Sequence, residues 1–159
     1  MAHQYRANVK WKRTGGATFI DQRFSRAHEW SFDGGITVPA SSSPLSVRLP
    51  YSVAEAVDPE EALVAALASC HMLTFLYVAA KQGFVIDEYA DDAVGEMSKN
   101  ERGKFWVSKV TLSPRVAFSG DKRPSPEQLD ELHHLAHEEC YIANSVKSEV
   151  VVQCAMSFA

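Results

Sequence analysis

The feature that most restricts the fold of this chain is a run of 19 residues, Ala62–Ala80, that contains no Asp, Glu, Lys or Arg. Before the run, Asp58 and Glu61 match a capping box, and Pro59 between them suits the first helical turn. Gly83, after the run, suits a C-terminal cap. These signals predict one long helix that ends just before the glycine.

Such a helix is apolar on all sides, which is typical of a central helix buried within a domain. Its length approaches the roughly 20 residues that span a bilayer. The run nevertheless includes Ser, Cys, His, Thr and Tyr, and small alanines make up much of its bulk. We therefore favour a buried helix and expect no membrane partner.

Alternating apolar and polar residues on both sides of this helix predict strands. The candidates are residues 5–12, 17–24, 28–32 and 45–49 before the helix, and residues 84–97, 105–112, 115–118 and 149–158 after it. A second, amphipathic helix starts at Ser125, which forms a further capping box with Gln128. This order predicts an α+β fold with mostly antiparallel sheets packed on a long central helix and a second helix. A single domain is expected over residues 1–159.

Composition and charge restrict the partners and the compartment. The net charge of −4 argues against a nucleic-acid partner, which calls for a basic, clustered surface. The first residues are polar and alternate in character, so we expect no signal peptide. The chain has three cysteines, which is an odd number and too few for a secreted disulfide framework. A reducing, cytoplasmic compartment follows, in which a disulfide would be transient and catalytic.

The cysteines are the main candidates for chemistry. Cys70 lies in the middle of the long helix, and Cys140 lies at the end of the second helix. Two helices that cross near these points would allow a disulfide, and a second thiol can rescue an oxidised one in that form. Cys154 alternates with apolar residues in the last predicted strand, so we assign it to the core.

The surroundings of these cysteines resemble those of the OsmC/Ohr family, the osmotically inducible protein C and organic hydroperoxide resistance proteins. The resemblance rests on Asp58-Pro-Glu-Glu-Ala with Cys70 ten residues beyond Glu60, and on Ala136-His-Glu-Glu-Cys140 followed by Asn144. It covers the chain from Asp58 onward and is looser over the first 50 residues.

The resemblance implies an OsmC-like fold, an intertwined homodimer with active sites at the interface, and a thiol peroxidase that reduces organic hydroperoxides without a cofactor or a metal. Cys70 would attack the peroxide, Cys140 would resolve the sulfenic acid as a disulfide, and Glu60 would be the supporting carboxylate. A dithiol, such as a lipoylated protein, would reduce the disulfide.

The resemblance also implies an arginine beside the reactive thiol, and two positions are open. Arg26 is the first choice because it lies in a short turn between predicted strands, and Arg48 is the second. An arginine suits the role because it is always charged and has several donors. His71 and Tyr141, each directly after a cysteine, depart from the best-known branches and place the chain in an outlying group.

Helix geometry affects how Glu60 can serve Cys70. Ten residues correspond to about 15 Å of helical rise and to side chains about 80° apart. The helix must bend, or Glu60 must serve the Cys70 of a partner chain, and the second option predicts a dimer. Apolar neighbours of the cysteine, among them Met72 and Leu76, favour organic hydroperoxides as substrates.

Other functions remain open. His133, His137 and Cys140 share one helix face and could bind zinc with Cys70 or His71. A cysteine hydrolase is less well supported, because no glycine-rich oxyanion loop is evident. The remaining alternative is a non-catalytic OsmC-like protein that senses oxidants or binds an apolar ligand.

Overall fold

The structure is a computed structural model that describes residues 3–16 and 18–158, with backbone alone for residues 155–158. The chain divides into two compact units, Met1–Ala62 and Leu63–Ala159. The prediction of one domain is not tested by this division and stays a prediction. The two units are described in turn.

The first unit contains an antiparallel three-stranded sheet in the order β1-β2-β3, formed by β1 (Ala7–Lys10), β2 (His28–Phe32) and β3 (Thr37–Ala40). The predicted strands at residues 5–12 and 28–32 are confirmed, the first in shorter form. The strands predicted at residues 17–24 and 45–49 are wrong, because these segments form turns and bends. Ala17 lies outside the described residues.

Aromatic packing explains why the segment before β2 is not a strand. Phe19 and Phe24 stack with ring centroids 4.5 Å apart, and Trp11 meets Phe24 edge-on at 5.4 Å. The indole nitrogen of Trp11 also donates a hydrogen bond to the Ser25 carbonyl at 2.8 Å. These apolar side chains pack on one another within a loop. Their spacing in the sequence resembles the alternation of a strand, although the segment joins no sheet.

The long helix α1 (Pro59–Lys81) has the ends that the sequence predicts. At its start, the Glu61 amide donates to the Asp58 carboxylate at 2.8 Å, and the Asp58 amide donates to the Glu61 carboxylate at 3.2 Å. At its end, Gly83 takes a positive φ of 80°, and the Phe84 amide reaches back to the Ala79 carbonyl at 3.0 Å. Both caps satisfy backbone groups that a helix end leaves unpaired.

The second unit holds two three-stranded sheets and a second helix. Its elements are β4 (Val85–Asp91), β5 (Val94–Lys99), β6 (Phe105–Leu112), β7 (Pro114–Ser119), α2 (Pro126–Glu139), a 3₁₀ turn (Ala143–Ser145), β8 (Glu149–Val152) and β9 (Ala155–Phe158). One sheet has the order β4-β7-β9 and the other β5-β6-β8. The β4–β7 and β5–β6 pairs are antiparallel, whereas β8 and β9 add in parallel.

The strand pairing in these two sheets contradicts the predicted bounds of two strands, but it confirms the fold class. Residues 84–97 and 149–158 were each expected to form one strand, yet each forms two strands that belong to different sheets. The predicted strand at 105–112 and the second helix are confirmed. Two helices with mostly antiparallel sheets make this an α+β protein.

The helix α1 contributes to two hydrophobic clusters of the second unit. Leu67 packs with Val110 and Leu112 of β6. Two to three turns later, Phe75 and Ala79 pack into the other cluster, which joins β7 to α2 and includes Phe84, Val116, Phe118, Leu129, Leu132 and Ala136. The buried stripe of α1 thus runs through both clusters, with one polar member, His71, between them.

The opposite face of α1 is exposed, which corrects the expectation of a helix buried on all sides. Leu73 is 61% exposed and Tyr77 67%. By length and composition α1 could cross a bilayer, a test that core helices of soluble proteins also pass. An apolar face of this kind on a protein surface marks a site of interaction.

Candidate active site

Cys70 lies on α1 directly before His71, which belongs to the buried stripe of that helix. Its side chain is half-buried and carries a free thiol. Its carbonyl accepts the ordinary helical bond and also a hydrogen bond from the Thr74 hydroxyl at 2.9 Å. The backbone at Cys70 is therefore held in the middle of a regular helix, and only the side chain is free to adjust.

Cys140 occupies the C-cap of α2 and is fully buried. Its backbone is extended, with φ −70° and ψ 112°, so the chain leaves the helix here. The Ala143 amide donates to the Cys140 sulfur at 3.4 Å, and the Asn144 side chain donates to the carbonyls of Glu138 and Cys140 at 2.7 and 3.1 Å. A tight turn therefore holds the second sulfur at the end of α2.

The two sulfurs interact within the second unit. The pKa of the Cys140 thiol is raised to about 11, chiefly by burial and in addition by a hydrogen bond with Cys70, whereas the Ala143 amide acts in the opposite direction. Cys140 is consequently a neutral thiol at neutral pH and can donate its proton toward Cys70. The structure brings together the two cysteines that the sequence singles out, as free thiols.

Two buried histidines join α1 to α2 beside this pair. His71 Nε2 and His133 Nδ1 are hydrogen-bonded at 3.0 Å, and the rings lie within 5° of parallel with centroids 5.3 Å apart. The rings thus meet edge to edge, with the two nitrogens facing each other. The His133 ring also stacks on Phe75 at 4.2 Å. The outer nitrogens, His71 Nδ1 and His133 Nε2, are buried and have no hydrogen-bond partner among the described residues.

Burial keeps these imidazoles neutral. The pKa of His71 is lowered to about 4, mainly by burial and in smaller part by the charge of His137, and the pKa of His133 is lowered to about 3, mainly by burial and in smaller part by His71. A neutral pair has one proton between the facing nitrogens, so one ring donates and the other accepts. His133 is therefore a buried, neutral residue and is not part of a solvated helix face.

The histidines do not form the metal site that was considered for them. Among the residues that the structure describes, no group of three or more His, Cys, Asp or Glu side chains is placed to hold a metal ion. The facing nitrogens of His71 and His133 also bond to each other, so neither has a lone pair left for a metal ion.

The other predicted site residues lie in the first unit. Glu60 is half-buried in the first turn of α1. The Arg26 guanidinium donates to the carbonyls of Gln22 and Phe24 and lies 3.9 Å over the Phe24 ring. Arg48 is exposed. Arg26 thus stabilises its own loop, and the roles of these three residues at the thiol stay predictions.

Cys154 was expected in the core, and it packs against the cluster around Phe75 while remaining half-buried. Its thiol donates to the Asp130 carboxylate at 3.6 Å. Burial raises the pKa of this thiol, and the charge of Asp130 adds to the effect. Burial therefore disfavours the thiolate of the third cysteine, and Cys70 and Cys140 stay the candidate redox pair.

Sequence reasoning missed the partnership of His71 with His133, although a signal was present. His71 is spaced four residues from both Leu67 and Phe75, at the centre of an apolar stripe. His133 directly follows the buried Leu132 and precedes Ala136 by three residues. Histidines in such stripes are buried, and buried ring nitrogens require partners.

The fold and the paired thiols define a small α+β protein with a two-cysteine site. The family model for OsmC-like protein matches residues 52–155, and the chain belongs to this family. An OsmC-like protein of unknown function from Vibrio cholerae is similar over 97% of this chain and 100% of its own, at 52% identity and a TM-score of 0.94.

More distant structures share the fold. An organic hydroperoxide resistance protein from Elizabethkingia anophelis is 17% identical over 100% of both chains, with a TM-score of 0.64. The organic hydroperoxide resistance protein OhrB of Bacillus subtilis is 22% identical over 96% of this chain and 98% of its own, with a TM-score of 0.58. No curated protein sequence matches the chain.

Proposed function

We propose that this protein is a cysteine-based peroxidase that reduces organic hydroperoxides to alcohols. The observation that carries the proposal is the interaction of Cys70, on a regular helix, with Cys140, a buried thiol whose pKa is raised to about 11. The distant structural neighbours named for organic hydroperoxide resistance are compatible with this chemistry.

The difference between the two thiols supports separate roles. The Cys70 thiolate attacks one peroxide oxygen, the O–O bond breaks, and the products are a sulfenic acid on Cys70 and an alkoxide that takes a proton from water. Cys140 sulfur then attacks the Cys70 sulfur, and its proton leaves with the hydroxyl group as water. Because Cys140 stays protonated until this step, it has the proton that the leaving hydroxyl requires.

A homodimer with sites at the interface forms part of the proposal. The helix α1 is continuous from Pro59 to Lys81, which separates Glu60 from the Cys70 of the same chain by about 15 Å of rise. Glu60, with Arg26 as the first and Arg48 as the second candidate for the cation, would then serve the thiol of a partner. The exposed apolar face of α1 supports association with a second copy.

The same features support our proposals for the substrate, the reductant and the compartment. Leu73 is exposed one turn after Cys70 and offers an apolar contact to the organic part of a hydroperoxide. The product is a disulfide, so the reductant is a dithiol, for which a lipoylated protein is suited. Three free thiols agree with a reducing cytoplasm.

The test is a thiol count with peptide mapping before and after one equivalent of cumene hydroperoxide. We expect two thiols to disappear and a peptide that links Cys70 to Cys140. Cys154→Ser is the matched control and should lose the same two thiols. Persistence of both thiols, or oxidation of Cys70 to the sulfinic acid without a link, would refute the mechanism and favour a ligand-binding or sensing role.

A further inference from the structure

The bond between His71 and His133 lies beside the two cysteines on the same pair of helices. His71 directly follows Cys70 on α1, and His133 precedes Cys140 by seven residues on α2, which is two helical turns or about 10 Å of rise. The helices therefore touch through two polar contacts, one between sulfurs and one between imidazoles.

These contacts constrain different movements. A rotation of α1 that changes the position of the Cys70 sulfur also turns His71 away from His133, because the two residues are adjacent on one helix. A slide of α2 along its axis changes both contacts together. The nitrogens face each other at 3.0 Å, and a hydrogen bond weakens steeply when it departs from linearity, so the pair tolerates little of either movement.

Water does not offer these two histidines a substitute for their hydrogen bond. His71 is 1% exposed and His133 4%, so water does not reach the facing nitrogens from the surface. The stack of Phe75 on His133 holds the plane of that ring. A departure from the observed spacing would leave a buried donor and a buried acceptor unpaired, which is strongly unfavourable.

We propose that the His71–His133 pair is a positioning clamp that holds α1 and α2 in the register in which the Cys70–Cys140 disulfide forms, and so sets the reduction potential of this dithiol. A disulfide needs a narrow range of Cα separations and dihedral angles. A clamp that keeps both sulfurs within that range raises their effective concentration toward each other and stabilises the disulfide relative to the dithiol. The inference rests on the redox couple of the proposed function but not on peroxide as its oxidant.

The experiment measures the equilibrium between dithiol and disulfide in glutathione buffers, with the disulfide first formed by diamide. In His133→Phe, which keeps an aromatic ring against Phe75 but removes the nitrogen that bonds to His71, we expect the equilibrium constant for disulfide formation to fall at least tenfold. That change corresponds to about 30 mV for a two-electron couple. His133→Asn, whose amide can occupy the place of Nδ1, should recover most of the loss.

Two further variants separate positioning from general stability. His71→Phe with His133→Phe refills the space with apolar rings, so it should fold as well as the wild type and still show the shifted potential. His134→Gln, at the exposed neighbouring histidine, should leave the potential unchanged. An unchanged potential in the folded double variant would overturn the clamp, as would failure of the wild type to form the disulfide. A shifted potential without oxidation by cumene hydroperoxide would keep the clamp and refute the peroxidase.

Discussion

At the scale of single residues, the two candidate redox cysteines differ because their surroundings differ. Cys140 is fully buried at a helix end, and its sulfur accepts a bond from the Ala143 amide and interacts with the Cys70 thiol. Cys70 is half-buried on the helix itself. Burial disfavours a thiolate, so Cys140 keeps its proton at neutral pH, which agrees with its proposed role as the resolving thiol.

This difference predicts the titration of the second thiol. In a protein with Cys70→Ser and Cys154→Ser, Cys140 should titrate above the ordinary pKa of 9.0, because burial, the largest cause of the shift, remains. The ultraviolet absorbance of the thiolate as a function of pH measures this value. The same protein in denaturant is the control and should titrate near the ordinary pKa. A folded-state pKa at or below 9.0 would contradict the assignment of Cys140 as the resolving thiol.

The buried imidazoles predict an effect of acid on stability. The pKa values of His71 and His133 are lowered to about 4 and about 3, so the unfolded chain binds more protons than the folded chain between the ordinary value of 6.5 and these values. The free energy of unfolding therefore falls as the pH decreases from 6.5 toward 4, by at most roughly 1.4 kcal/mol per pH unit for each histidine.

Denaturant unfolding at several pH values checks this prediction. The variant with phenylalanine at both positions provides the comparison, since the carboxylates of the chain titrate in both proteins and cancel in the difference. A wild type and a double variant with the same slope between pH 6.5 and 4 would show that the pair is not buried as described.

At the scale of elements, signals that act within a few residues predicted the structure well. The capping boxes at Asp58 and Ser125 and the cap at Gly83 set the helix ends, since they depend on neighbouring backbone groups. The β2 and β6 strands have the predicted bounds because aromatic and β-branched residues between turn signals mark them in the sequence. The approach of Cys70 and Cys140 was also predictable, as both lie on well-defined helices.

What could not be predicted depends on partners distant in sequence. The apolar alternation of residues 84–97 does not reveal that the chain passes from one sheet to another between Asp91 and Val94, because each half is defined by the strand it pairs with. The segment with Phe19 and Phe24 pairs with no strand, and its aromatic rings pack on Trp11 instead. The bond between His71 and His133 likewise arises from helix packing alone.

Close packing of β5 against α1 predicts a sensitive glycine. A Cβ added at Gly95 would lie 2.6 Å from Val64 Cγ2, so Gly95→Ala should destabilise the protein by about 1–3 kcal/mol through overpacking. Val64→Ala in the same chain should recover most of this loss because it removes the clashing methyl groups. Unfolding midpoints in denaturant measure the effect.

A matched control is available in the first unit. A Cβ added at Gly34 would meet no atom within 4 Å, so Gly34→Ala should change the stability little. Equal losses for the two glycine variants, or no recovery with Val64→Ala, would contradict the packing of β5 on α1.

At the scale of the whole molecule, the exposed face of α1 predicts association. Leu73 and Tyr77 are more than half exposed, on a helix that carries no charge between Ala62 and Ala80. We expect a homodimer in solution and expect Leu73→Glu to shift it toward the monomer with loss of peroxidase activity, because a charge would have to be buried in an apolar interface.

Light scattering after size exclusion, together with peroxide turnover, tests this prediction. Lys104→Glu, in an exposed turn before β6, is the control and should remain dimeric and active. A wild-type monomer with full activity would refute the proposal that Glu60 serves a partner's Cys70.

The parallel addition of β8 to β6 and of β9 to β7 has a consequence for biosynthesis. The β5-β6-β8 sheet is incomplete until the ribosome has delivered Val152, and the β4-β7-β9 sheet until it has delivered Phe158. During translation Cys70 leaves the ribosome 70 residues ahead of Cys140, and β8 and β9 follow later still. We therefore expect the nascent chain to carry the Cys70 thiol without Cys140, and to mature correctly only if the cell keeps that thiol reduced until synthesis has passed the last strand.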